Sequence, residues 1–355
     1  MKSAAILLLT LSTCTVVDDT TKPPTHLIGR TVQKVDSRIW VIHQDHKGDY
    51  WFGSNGNGVY RYDGQVITHY TKADGLSGHQ VRDIREDAKG NVFISTTNGV
   101  CKFDGKTFTN LEPVEPPAGS DGWVLRPDDV WIVFDPGGYG VVRYDGEKLY
   151  HLKLPKSPIE EAHRDRFANA PGFFSPTSVY SVYKDRRGHM WFGTAAVGLC
   201  RFDGQTLSWM YEEHLTTTPR GGAFGIRSVY EDKSGDFWIC NTRHRFSMAP
   251  EAVLTDGYSR IQYEKKQGLP DARSDTDENF RFYPSVTEDD AGSLWMACGN
   301  TVLKYDGKKV SRYAIADGAY AANIRCDRAG KLWVGTIEHG IYTFEDGRMV
   351  SFHPN

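Results

Sequence analysis

DHKGDYWFG, residues 45–53, carries the reading that decides the fold, because it recurs. DAKGNVFIS starts at Asp87, DRRGHMWFG at Asp185, DKSGDFWIC at Asp232, DDAGSLWMA at Asp289 and DRAGKLWVG at Asp327. In each copy an Asp stands six residues before an aromatic and a Gly three before it. DDVWIVF is a degenerate seventh copy in which Trp131 lacks the Gly turn. The aromatics Trp51, Phe93, Trp131, Trp191, Trp238, Trp295 and Trp333 are spaced by 42, 38, 60, 47, 57 and 38 residues. Such spacing brackets the ~40–45 residues of one four-stranded propeller blade.

Each unit therefore predicts four strands. A β-branched run ends at the Asp, D-x-x-G turns the chain, and the second strand carries the aromatic. A third strand such as GVYRYDG (58–64) follows, and Asp-Gly opens a hairpin into a fourth such as VITHY (66–70). One blade cannot bury both of its faces, but blades stacked in a closed ring bury them all. The expected fold is all-β: a seven-bladed β-propeller of four-stranded antiparallel blades over residues 26–355, with the repeated aromatics as wedges between blades. Residues 26–32 are expected to add an edge strand, and Phe352 to lie in the last outer strand.

Composition fits this reading. Glycine numbers 36 against 6 methionines, as suits many short strands and tight turns. Lys plus Arg total 42 and Asp plus Glu 45, a formal net charge of −3 without a basic stripe, which excludes nucleic acid as the default partner. Met1-Lys2, the apolar run Ala4 to Leu11 and Ser12-Thr13-Cys14 read as an export leader, residues 1–13. That run is too short to span a bilayer, and no later segment comes close. Leu11-Ser12-Thr13-Cys14 resembles a lipoprotein box, which makes Cys14 the expected lipidation site; Thr13 departs from the usual small residue, and plain secretion is the alternative. Residues 14–25, with a Pro-Pro pair, are expected to form a polar tether. The expected location is the periplasm or cell envelope.

The repeated elements D-x-x-G-x-x-W, G-[LV]-x-[RK]-[YF]-D-G and YTKADGL (70–76) resemble the two-component regulator propeller family, over nearly the whole chain after the tether. The resemblance implies a periplasmic ligand-sensing module of hybrid sensor kinases, often answering to carbohydrates. Members of that kind add a second propeller, an immunoglobulin-like domain, a membrane helix and a kinase, and this chain shows none of the four.

In such a blade the D-x-x-G and Asp-Gly turns share one face of the ring, while second-to-third strand turns and interblade links share the other. The second set is irregular, so a ligand site is expected there. Long links at 151–178, 211–226 and 264–284 carry Arg164 and Arg281 among other polar residues. Short turns carry Tyr139, the run Arg243-His244-Arg245, and Glu338-His339. Two arginines around a histidine could hold a carboxylate or sulfate, although a solvated loop tip is the blander reading. These eight residues form the expected ligand-binding set, with no catalytic residue assigned.

No cofactor is expected, and no metal motif stands out. DARSDTDE (271–278) carries calcium-type oxygens but lacks the central Gly and terminal Glu of a calcium loop. Cys101, Cys200, Cys240, Cys298 and Cys326 sit in predicted strands as small core residues. Three functions compete. The first is a module that binds a glycan, another small ligand or an envelope partner protein. The second is a lyase acting on an anionic polysaccharide or a streptogramin-like substrate, with His244, His339 or Tyr139 as base. The third is an envelope scaffold. The lack of a repeated catalytic signature favours binding.

Overall fold

The structure, a computed structural model, describes residues 28–134, 140–162, 175–216, 225–255, 257–270, 281–315 and 318–354. The D-x-x-G turn shows why the Asp-to-Trp spacing is six. One oxygen of Asp45 accepts from the backbone N–H groups of Lys47 and Asp49, each at 3.0 Å. The other oxygen accepts from the Trp51 indole at 2.9 Å. A single carboxylate thus shapes the turn and fixes the wedge. The same double use holds at Asp185–Trp191 (2.8 Å), Asp232–Trp238 (2.7 Å), Asp289–Trp295 (2.8 Å) and Asp327–Trp333 (2.8 Å). Phe93 has no N–H to offer, and there Asn91 Nδ2 occupies the second oxygen of Asp87 at 2.7 Å.

The strands, in chain order, are β1 (Arg30–Val32), β2 (Ile39–Gln44), β3 (Tyr50–Ser54), β4 (Val59–Tyr62), β5 (Ile67–Tyr70), β6 (Val81–Glu86), β7 (Val92–Thr96), β8 (Gly99–Phe103), β9 (Phe108–Leu111), β10 (Pro113–Val114), β11 (Val130–Phe134), β12 (Gly140–Tyr144) and β13 (Leu149–Leu152). They continue as β14 (Val179–Lys184), β15 (Met190–Thr194), β16 (Leu199–Phe202), β17 (Leu207–Met210), β18 (Val229–Glu231), β19 (Asp236–Ile239), β20 (Arg245–Thr255) and β21 (Tyr258–Lys266). The last eight are β22 (Ser285–Glu288), β23 (Leu294–Cys298), β24 (Thr301–Tyr305), β25 (Val310–Ala314), β26 (Ala321–Cys326), β27 (Leu332–Thr336), β28 (Ile341–Glu345) and β29 (Arg348–Ser351). Consecutive groups pair antiparallel into meanders, so the chain is all-β. Among the described residues no helix is long and apolar enough to cross a membrane.

The first strands of successive meanders pack side by side: β2 on β6, β6 on β11, β11 on β14, β14 on β18, β18 on β22, β22 on β26, and β26 back on β2. Between sheets, most wedges meet the aromatic of the next meander's [YF]-D-G element, while Trp191 packs on Phe237 (4.7 Å) and Trp333 on Tyr50 (4.4 Å). Trp51 meets Phe103 (5.4 Å between centroids), Phe93 meets Tyr144 (4.8 Å), Trp238 meets Tyr305 (5.6 Å) and Trp295 meets Phe344 (4.9 Å). All seven repeated aromatics are buried. The motif's two aromatics are thus two halves of one contact.

Strand β1 pairs antiparallel with β5, Arg30 opposite His69, so the expected N-terminal edge strand exists. At the other end β29 stops at Ser351, one residue short of the expectation. Phe352 still donates its N–H to the Ile341 carbonyl (2.8 Å) and packs its ring against Trp333 (5.0 Å).

Two departures from four-stranded antiparallel blades have local causes. The meander of Trp131 has three antiparallel strands, β11 to β13, and its outer strand β10 runs parallel to β13, Pro113 opposite Leu149. No D-x-x-G precedes Trp131, and Leu125 stands where the Asp would be, so no turn folds an inner strand onto β11. Trp123 fills in instead, 5.9 Å from Trp131 and 5.4 Å from Phe192, and the Trp131 indole nitrogen is buried without a partner. Elsewhere β20 and β21 run on to 11 and 9 residues, long enough for Arg260 to bridge Trp209 of β17. This joins two meanders into one eight-stranded sheet.

Candidate functional site

The link face forms as strand order dictates. The β3–β4 turn meets the link to the next meander, where Gly56 and Gly58 both donate to the His79 carbonyl (3.2 and 2.8 Å). Ala195 donates to Ser178 O (2.8 Å) and Ile337 to Tyr320 O (3.0 Å) in the same way.

Of the residues expected at a ligand site, Cys14, Tyr139 and Arg164 lie outside the described residues, as does the calcium-like stretch 271–278. Arg245 starts β20 with its guanidinium occupied, pairing with Asp236 (3.2 Å) and donating to Gln267 O (3.1 Å). His244 Nδ1 lies 3.3 Å from Lys266 O, and the Arg243 carbonyl accepts from Leu269 N at 2.8 Å. The run Arg243-His244-Arg245 is therefore stitched to the strand that follows it. Arg281 stands beside the half-buried Cys298 thiol. Glu338 and His339 are exposed in the turn before β28, and His339 lines a groove of about 820 Å³ between the first and last meanders, with His69 and His353. None of these residues lines the central cavity.

That cavity, about 650 Å³, runs along the axis where the innermost strands of the meanders meet. Its shape follows from a repeated irregularity. Pairing slips between Ile39 and Val41 in β2, Val81 and Asp83 in β6, Val179 and Ser181 in β14, and Ala321 and Asn323 in β26. The residue skipped each time lies five before the turn Asp: Trp40, Arg82, Tyr180 and Ala322, and all four line the cavity. A β-bulge re-aims the side chain it frees, and here it does so in register around the axis. A second tier, two residues before the turn Asp, presents Arg85, Tyr183, Tyr230, Thr287 and Arg325.

Two of the arginines lie over rings. Arg82 sits 5.2 Å from the Trp40 ring centroid and Arg227 4.7 Å from that of Tyr180. Arg85 pairs with Asp83 at 3.0 Å and donates to Val182 O at 2.9 Å. Arg325 has no ion pair among the described residues, and its Nε is buried without a hydrogen-bond partner. Burial, then repulsion from Arg85 and Arg328, lowers its guanidinium below the ordinary value. His43 occupies the same tier on β2, between the strands of Arg85 and Arg325. Burial and those same two arginines hold its pKa down to about 3, so it is neutral at physiological pH. Burial pushes the Tyr183 phenol up to about 12, so it stays protonated.

Sequence reasoning missed this lining because it looked for a site in the loops. The signal was present: inner strands alternate, and the positions five before Asp45, Asp87, Asp185 and Asp232 read Trp, Arg, Tyr and Arg where a plain core would read Val or Ile.

The two component regulator propeller family matches residues 174–196, so the chain carries that repeat. No curated protein matches the chain. Among solved structures, the extracellular domain of BT4673, assigned to a one component system of B. thetaiotaomicron, is similar at 17% identity and TM-score 0.57, with 89% of this chain covered. The extracellular domain of BT3049, assigned to a hybrid two component system of the same organism, is similar at 14% identity and TM-score 0.56, with 90% of this chain covered. This chain spans 40% and 48% of those two chains. Virginiamycin B lyase from Staphylococcus aureus is similar at 12% identity and TM-score 0.59, with 88% of this chain and 97% of that chain covered. At these identities the likeness is one of propeller fold.

Proposed function

We propose that this chain is a seven-bladed, extracytoplasmic sensor propeller that binds a small ligand, a carbohydrate by family resemblance, in its axial cavity. The cyclic packing of the innermost strands of seven meanders, with β11 innermost in the one that lacks a first strand, supports the blade number. The matched repeat and the leader at residues 1–13, with Cys14 as anchor, support export. The observation that carries the ligand reading is the lining of the cavity: in-register bulges turn an aromatic or an arginine inward at the link end. Aromatic faces with a few fixed polar groups are the usual furniture of a small-molecule site.

A binding role is favoured over a lyase because no histidine lines the cavity among the described residues. His43, the nearest by register, has a pKa of about 3 and would be a poor proton acceptor at neutral pH. A thermal-shift screen of the mature chain against oligosaccharides tests the reading, because a ligand of the native state raises Tm by mass action. The expected result is a saturable rise whose midpoint Trp40→Ala moves to ligand concentrations up to about tenfold higher. A rise untouched by Trp40→Ala would move the site away from the axis.

A further inference from the structure

The cavity carries more positive charge than the protein around it. Four arginines line it, Arg82, Arg85, Arg227 and Arg325, against one acidic residue, Asp83, in a chain whose formal net charge is −3. Asp83 is already engaged: it pairs with Arg85, and its carboxylate accepts from Ile84 N (3.0 Å) and Val133 N (3.1 Å). Arg325 is left with a buried Nε that bonds nothing, on the strand across β2 from Arg85. Arg325 is half-buried with Asp327 as its favourable charge, and leaving the Nε of a partly buried cation without an acceptor is costly. A hydrophobic residue of similar length would serve a purely structural role at that position better.

We propose that the axial cavity is an anion site: Arg325 and Arg85 receive a carboxylate or sulfate group of the ligand, while Arg227 and Arg82, backed by Tyr180 and Trp40, hold its body nearer the link end. This rests on the sensor reading above and narrows its ligand to an acidic small molecule such as a uronate or a sulfated sugar. Guanidinium forks bind planar oxyanions in bidentate fashion, and the low dielectric of an enclosed channel strengthens such bonds. Arg85 and Arg325 repel each other across β2, and a negative group between them would offset that repulsion.

The test compares Tm of the mature chain at constant ionic strength in chloride, sulfate, sodium glucuronate and neutral glucose, for the natural sequence and for Arg325→Gln and Arg227→Gln. Removing one partner of a charge-assisted bond weakens binding by about tenfold or more. The expected result is a saturable rise with glucuronate, with sulfate or with both, no rise with glucose, and at least tenfold weaker binding in each variant. Whichever of glucuronate and sulfate acts identifies the group. Arg325→Gln should unfold at or above the natural Tm without ligand, because it removes a half-buried charge that makes no ion pair among the described residues, whereas a structural arginine would lower it. Equal shifts for glucose and glucuronate, or an anion shift that survives Arg325→Gln, would overturn the anion site. If neutral oligosaccharides still bind and Trp40→Ala still weakens that binding, the sensor reading stands without it.

Discussion

The Tyr50 hydroxyl donates to the Asp327 carboxylate at 2.5 Å, joining residues 277 apart in the chain. The same Asp327 oxygen accepts the Trp333 indole, and the Arg328 N–H bonds Gln44 Oε1 at 3.1 Å. No strand is shared between the first and last meanders, since one sheet is built from residues 30–70 and the other from 321–351. Side-chain bonds, ring packing and a backbone bond from Gly340 N to the Ser37 carbonyl (2.6 Å) close the circle.

Tyr50→Phe therefore opens the closure while keeping the ring packed on Trp333. Losing a hydrogen bond to a charged acceptor costs about 1.5–3 kcal/mol. Tyr62→Phe loses only a half-exposed bond to Gly64 O and should cost under about 1 kcal/mol. Urea denaturation of both variants checks this, and equal costs would remove Tyr50 from the closure.

The Asp that serves turn and wedge together predicts a second effect. Asp232→Asn leaves the Trp238 indole or the turn N–H groups short of an acceptor, a loss of about 1–3 kcal/mol. Asp63→Asn, at an exposed hairpin where the carboxylate bonds only Gln65 and Val66 N–H, should lose less. Denaturant midpoints of the pair give the comparison.

Stability should fall with acid in two steps. His43 is depressed to about 3 in the folded chain against an ordinary ~6.5, so the unfolded chain binds the extra proton between those values. Its share of stability is full above about pH 6.5 and is lost as pH falls toward 3. Burial pushes Asp327 up, but bonds from Tyr50, Trp333 and two backbone N–H groups hold it below its ordinary value, and Asp289 behaves alike. Their share is present above an ordinary ~3.9 and is lost as pH falls through the native values. Midpoints measured from pH 7 to 3 should decline from the start for the natural chain. With His43→Gln the decline between pH 6.5 and 4.5 should flatten, and an unchanged slope there would contradict the assignment.

Much of this was legible in the residues. Asp45 and Trp51 recur at fixed spacing, and the repeat alone specified meanders, wedges and the link face. Trp131 was legible as a degenerate wedge, but not the missing inner strand before it, because the absence of Asp and Gly says only what cannot form. The setting of the expected arginine run was hidden for a related reason. Arg243 and Arg245 looked free as a sequence run, whereas Asp236 and Gln267, which hold Arg245, are brought to it only by the β19–β20 and β20–β21 pairings. Arg82 and Arg85 looked like ordinary polar positions of a strand until ring closure turned that face to the axis.

Trp40→Ala separates binding from folding. Trp40 is 36% exposed at the cavity mouth, so its loss should change stability by under about 1 kcal/mol. A ring stacked on a ligand is worth about 0.5–1.5 kcal/mol, which is up to about tenfold in Kd by titration. A folded variant that binds as before would take Trp40 out of the site.

The most direct measurement is a crystal structure of the mature chain with the tightest-binding oligosaccharide from the thermal screen. The account predicts density on the axis, with a sugar ring against Trp40 or Tyr180 and an acidic group within hydrogen-bond distance of Arg325. Density in the groove lined by His69 and His339, or on the outer strands with the axial cavity holding only water, would contradict it.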